Sequence, residues 1–294
     1  MRTRVLATVV FSALAMSMVH GQGAPSLQAT KVQRIKVAPP TAVPDLKTTL
    51  YKMADVLGML RGAQEEDSVL TLDYRGAGTM AIGGQQAKLM SYRGSVRFNI
   101  PGLRVDFTRA GADGKPQRQV QVVAGKFAWN ETQPGQNPTP AMDTVNERLL
   151  QIWTLPPGIV KAAALAGATA KVSLEGGVVY VSFPLPAPLA GTAKAALNAT
   201  DVMVLTLDNG DKYELTNLID RVETRLGNVV TETTFADYAD WNEADYKSDV
   251  LFPGRIVQRR NGVTVLDLTI TRTNTYNPYV VMPVPENVQK SSDK

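Results

Sequence analysis

From residue 69 to residue 123 the chain alternates apolar and polar side chains with a period of two. The alternation is cut at short intervals by Gly83-Gly84, Pro101-Gly102 and Asp113-Gly114. A period of two sends successive side chains to opposite faces of a strand, and paired turn residues of this kind close tight hairpins. The pattern therefore predicts four strands in meander order, over residues 69–80, 88–100, 103–109 and 117–123. It resumes at 170 with strands over 170–175, 178–183, 193–199, 202–208, 220–226, 229–236, 254–258 and 263–273. Asn209-Gly210, Gly227-Asn228 and Asn261-Gly262 serve as turns between them. About ten or eleven antiparallel strands are expected in one sheet. Accumulated right-handed twist coils a sheet of that length toward a half or incomplete barrel with a concave face.

Two stretches carry helical spacing instead. Leu46, Leu50, Met53, Leu57 and Leu60 recur on one face after Asp45, a good N-cap, and Gly62 stands near the end. Val145, Leu149, Leu150, Ile152 and Trp153 form a second apolar face after Asp143 and Thr144. Pro156 and Pro157 stop that helix, and Pro157 suits the first turn of another running to about Gly167. Helices set apart from strands, rather than alternating with them, indicate an α+β fold in which an N-terminal helix and an inserted helix pair cover the concave face.

Composition narrows the chemistry. The chain has no cysteine, and its one histidine, His20, lies in an N-terminal segment with the marks of an export signal. Those marks are Arg2 and Arg4, an apolar stretch over 5–19, and the small residues Gly21 and Gly23. Cleavage after Gly21 is expected, giving a periplasmic or secreted product, and no integral membrane segment is expected elsewhere. The mature chain then has no imidazole, thiolate, Cys/His metal site or disulfide. No catalytic residue, metal or cofactor is predicted, and the reading is of a non-enzyme. Taking Arg2 and Arg4 from 31 basic side chains leaves 29 against 27 acidic ones, too even a balance to point to nucleic acid. Residues 22–44, with Gly23, Pro25, Pro39, Pro40 and Pro44, are expected to form a flexible leader; 45–288 form one domain and 289–294 a disordered tail.

The order of several short motifs resembles the periplasmic outer-membrane lipoprotein carrier family and its half-barrel relatives. The motifs are Asp45-Leu46-Lys47 opening the first helix, the turn Ile100-Pro101-Gly102-Leu103-Arg104, and the run from Val122 to Trp129 through Gly125-Lys126. Near the C-terminus Tyr238, Phe252-Pro253, Asn261-Gly262 and the segment Val281-Met282-Pro283-Val284-Pro285 resemble closing hairpins and a final proline-bearing strand. The resemblance implies a lipid, an acyl chain or an acylated protein held in the concave face, and a role in lipid transport that extends to lipoprotein sorting. It departs at Ile100, where the carrier has an arginine that holds its lid helices, and at Arg104, where it has an aromatic. A relative with the same fold and a changed cargo is implied.

The candidate ligand-binding residues are Trp129, Trp153, Met80, Met90 and Ile100, with Met142 a further soft side chain; aromatic and thioether groups line adaptable apolar sites. Two other readings stand beside this one. An interaction module would dock on another envelope protein through a sheet edge or the leader. A hydrolase would rest on carboxylates, and the densest acidic stretch is 237–245, with Asp240 and Glu243 as its candidates.

Overall fold

The alternating segments pair into one large antiparallel sheet. The computed structural model describes residues 29–293 apart from 62, 63, 65, 112, 113, 208–211, 242–249 and 276. The predicted export signal and residue Glu243 lie outside the described residues. In chain order the elements are β1 (Ala29–Lys36), α1 (Leu46–Val56), β2 (Leu60–Arg61), β3 (Glu66–Asp67), β4 (Thr71–Ile82), β5 (Gln85–Arg97), β6 (Gly102–Ala110), β7 (Pro116–Ala124), β8 (Phe127–Glu131) and β9 (Thr139–Pro140). Then come α2 (Val145–Trp153), α3 (Pro156–Ala166), β10 (Lys171–Glu175), β11 (Val178–Pro184), β12 (Gly191–Asn198), β13 (Asp201–Leu207) and β14 (Lys212–Leu215). The chain closes with β15 (Leu218–Leu226), β16 (Val229–Asp240), β17 (Leu251–Arg260), β18 (Val263–Asn274) and α4 (Glu286–Gln289).

Thirteen strands form the main sheet in the order β10-β11-β12-β15-β16-β17-β18-β4-β5-β6-β7-β8-β9, and β10 and β9 are its open edges. The protein is thus mostly β, with a few helices. The expected ten or eleven strands fall short because Gly125, at φ +55°, turns the chain back into β8, and β9 adds to that edge. Alternation also misassigns one strand: β13 leaves the large sheet and pairs with β1 and β14 in a separate three-stranded sheet. β1 lies inside the stretch whose composition suggests a flexible leader, and backbone pairing with β13 from Ala29 to Lys36 orders it.

The sheet has an inner and an outer face. Leu72, Tyr74, Tyr92, Val96, Leu103, Val105 and Phe107 point inward from one half. Val179, Val181, Ala195, Val222, Phe235, Ile256 and Leu268 do so from the other. Met53 of α1 and Leu57 just past its end, Leu149, Ile152 and Trp153 of α2, and Ile159, Ala162 and Ala163 of α3 interlock with them in one apolar core. Each large side chain removed from water there contributes about 1.5–3 kcal/mol. The three expected helices are present, and Asp45 caps the first by accepting from the Thr48 N–H at 2.9 Å, but that helix ends at Val56 rather than near Gly62, and Leu60 lies in β2.

On the outer face charges alternate in sign: Arg93 forks onto buried Asp73, Arg118 onto Asp106, and Arg255 onto Asp267. A second, small core lies on this face, where Val120, Val122 and Trp129 are covered by Met282, Val284 and Val288. The segment 281–285 that resembles a final strand is irregular and leads into α4. Pro283 and Pro285 lack the N–H a ladder needs, and the segment packs by its side chains instead. Among the described residues no single helix is long and apolar enough to cross a membrane. The pair α2–α3 passes only as a unit bent by 96°, and it lies against the sheet.

Candidate functional site

Two features bear on binding: the helical cover of the inner face, and a polar cleft at the ends of β6 to β9, lined from both faces of the sheet. The cover rests on few polar contacts. Arg148 of α2 is buried and donates to the carbonyl oxygens of Trp129 at 2.6 Å and Val122 at 2.9 Å, and to Asn130 Oδ1 at 2.6 Å. Burial pulls its guanidinium down to about 10, so at neutral pH it stays a cation held by neutral oxygens. Lys161 of α3 pairs with Asp67 and sits 5.2 Å from the Phe98 ring centre. Glu147 of α2 pairs with Arg260 at the tip of β17.

The turn between α2 and α3 is tight because residue 158 is glycine. A Cβ there would stand 2.0 Å from the Ile152 carbonyl oxygen. Gly94 plays a similar part beneath the cover, since a Cβ would meet the Tyr74 ring at 2.3 Å. Tyr74 then packs against Tyr92 and Phe252, with ring centres 5.8 and 5.5 Å away.

The cleft has a volume of about 290 Å³ and is lined by Arg109, Gln117, Gln119, Asn130, Asn137 and Thr139 among others. Asn137 donates to the Thr132 hydroxyl at 3.2 Å, and Asn130 links the cleft wall to Arg148 of the cover. Glu131 also borders the cleft, but its oxygens are held by the Trp129 indole N–H at 2.7 Å and the Gly135 N–H at 2.8 Å. The Arg104 guanidinium lies 3.7 Å from the same carboxylate. The lining is thus a set of hydrogen-bond donors and amides, in which Arg118 is already paired with Asp106 and the one carboxylate is already engaged.

The five predicted ligand-binding residues are not brought together. Trp153 lies in the inner core and Met80 packs against it. Trp129 points to the outer face and belongs to the other core, with Met142 beside it. A single residue of parity separates these outcomes, because Ala128 and Asn130 take the inward positions on β8. Met90 is 54% exposed at a bulge in β5, where the pairing steps from Leu89 to Ser91, and Ile100 is 60% exposed at the β5–β6 turn. Of the acidic pair, Asp240 ends β16 and Glu243 lies outside the described residues. Among the described residues no three His, Cys, Asp or Glu side chains converge.

The cleft residues escape sequence reading because each sits in an ordinary strand. Their one signal is a polar side chain at the parity that buries apolar ones, as where Leu103, Val105 and Phe107 are followed by Arg109. No protein-family model matches this chain, and neither does any curated protein.

Proposed function

We propose that this is an exported, non-enzymatic binding or carrier protein that takes an acyl chain or other hydrophobic ligand between the inner face of the sheet and the helices covering it. The observation that carries the reading is a continuous apolar inner face roofed by three short helices with few polar attachments. The sheet beneath is proposed to coil into the half-barrel such a ligand needs. Support comes from reach: α3 packs on β11 and α2 on β6, β7 and β8, yet β11 and β6 stand second and tenth in the strand order. In a flat sheet eight strand spacings span ~38 Å. Helices of nine and eleven residues measure only ~14 and ~17 Å, and these are bent by 96°. Helix side chains fill the interior, so the ligand enters by displacing them, apolar surface replacing apolar surface at ~25 cal/mol per Å².

The test is to purify the protein from its native envelope, extract it for mass spectrometry, and titrate it with a fluorescent fatty acid. Co-purified lipid or saturable binding is expected; neither would sink the carrier reading.

A second reading, docking on another envelope protein, is favoured by one observation. Leu70, Ile100, Tyr279 and Val281 are all exposed at one rim, Tyr279 to 84%. Hydrogen bonds from Phe98 N to Leu70 O and from Thr71 Oγ1 to Asn277 O, with Met282 against Gly102, bring these segments together. Crosslinking in the native envelope would capture a partner that Ile100→Asp loses.

A further inference from the structure

Resting on the carrier reading, the structure points to the class of ligand. The inner face of three neighbouring strands changes character in step. On β6 it runs Leu103, Val105, Phe107, Arg109; on β7, in register, Val123, Gln121, Gln119, Gln117; on β8, Ala128 then Asn130. The first positions are buried in the apolar core, and the last open into the 290 Å³ cleft. Leu89 of β5, itself buried, pairs with Arg109, so the apolar wall reaches the edge of the cleft.

The cleft end is built to donate. Arg109 supplies a guanidinium with no carboxylate partner among the described residues, and Gln117 and Gln119 supply carboxamides. Asn130 has its oxygen occupied by Arg148, which leaves its amide nitrogen for a ligand. The bordering carboxylate, Glu131, is spent on the Trp129 indole and the Gly135 amide. Such a donor set suits an oxyanion, because guanidinium and amide N–H groups bind carboxylate or phosphate oxygens by charge-assisted hydrogen bonds.

We propose that the ligand is an anionic amphiphile: its carboxylate or phosphate group sits in the cleft against Arg109, and its chain runs from Phe107 toward Leu103 under the helical cover. Asn130, shared by the cleft wall and the Arg148 anchor of α2, places the head group beside the element that must move to admit the chain.

The experiment is calorimetric titration of the full chain with dodecanoate, dodecyl phosphate and dodecanol, each below its micelle concentration, for the unaltered protein and for Arg109→Gln. Glutamine keeps donor groups and removes the charge. Circular dichroism and thermal melting establish that the variant is folded. At least one anionic ligand is expected to bind about tenfold or more tighter than dodecanol, and Arg109→Gln is expected to erase that difference while leaving dodecanol affinity within about twofold. Which anion wins distinguishes a fatty-acid source from a phospholipid one. Equal binding of all three ligands, untouched by Arg109→Gln, would overturn the head-group assignment and leave the carrier reading standing. Binding of none of them would remove the carrier reading, and this inference with it.

Discussion

Tyr74, Tyr92 and Tyr238 are buried phenols whose surroundings tie the stability of the protein to alkaline pH. Burial raises all three, and it pushes Tyr92 up to about 12 from the ordinary value of 10. Tyr74 and Tyr92 have their hydroxyls 3.5 Å apart, and Tyr238 donates to the Ile219 carbonyl at 2.8 Å. A phenol with a raised value in the folded state is neutral in both states below pH 10. Above that the unfolded chain ionises first, so stability is fully present below pH 10 and is lost as pH rises through 12. Two units at Tyr92 correspond to on the order of 3 kcal/mol. Cooperative unfolding is expected in that window, followed by circular dichroism beside a near-ultraviolet tyrosinate titration. Tyr92→Phe should move the midpoint to higher pH; a midpoint indifferent to the substitution would mean that other groups drive the transition. The same scale shows what sequence reading reached. Trp153 and Met80 fall on the inner side, whereas Trp129 does not, since one step along β8 exchanges the faces.

At the scale of elements, the helix pair is the clearest case of a local signal with a tertiary consequence. Pro156 and Pro157 mark the start of α3 in the sequence and occupy its first turn. What the sequence does not announce is that Gly158 lets the first turn of α3 pass the end of α2, with the Ile152 carbonyl in the space a Cβ would fill. Gly158→Ala is therefore expected to push the two helices apart and cost about 1–3 kcal/mol, measured as a lower urea midpoint at unchanged slope. An unchanged midpoint would show that the pair relaxes freely. Turns were equally legible: Gly83-Gly84 and Asn261-Gly262 adopt positive φ and close the hairpins their residue types predict. β13 was legible as a strand but not as a member of another sheet, because alternation is blind to the partner.

Over the whole molecule, the sheet joins the two halves of the chain through β18 beside β4, and its outer face is closed at one end by the C-terminal segment. That segment crosses from Asn277 near β4 to α4, where Asn287 donates to the Pro138 carbonyl at 2.7 Å. Deleting residues 280–294 would strip Met282, Val284 and Val288 from Trp129. The expected outcome is a loss of about 2–5 kcal/mol, a lower melting temperature and a red-shifted tryptophan emission, with the sheet's far-ultraviolet spectrum retained. Emission unchanged by the deletion would show that Trp129 is shielded by other groups.

The sequence by itself determined most of the strands of the large sheet, the turns between them and the starts of three helices, because alternation, caps and paired turn residues act within a few positions. It also left the chain without a thiol and with His20 as its one imidazole. Only the tertiary structure decided that β1 pairs with β13, that thirteen strands share one sheet, and that Arg109, Gln117, Gln119 and Asn130 meet at the edge of an apolar face. The physical reason lies in parity and bulges. A period of two says that a strand has two faces but not which one is covered, and bulges in β5 and β18 reset the count partway along. Which side chains converge is settled when the sheet and its helical cover assemble, through contacts between residues far apart in the chain.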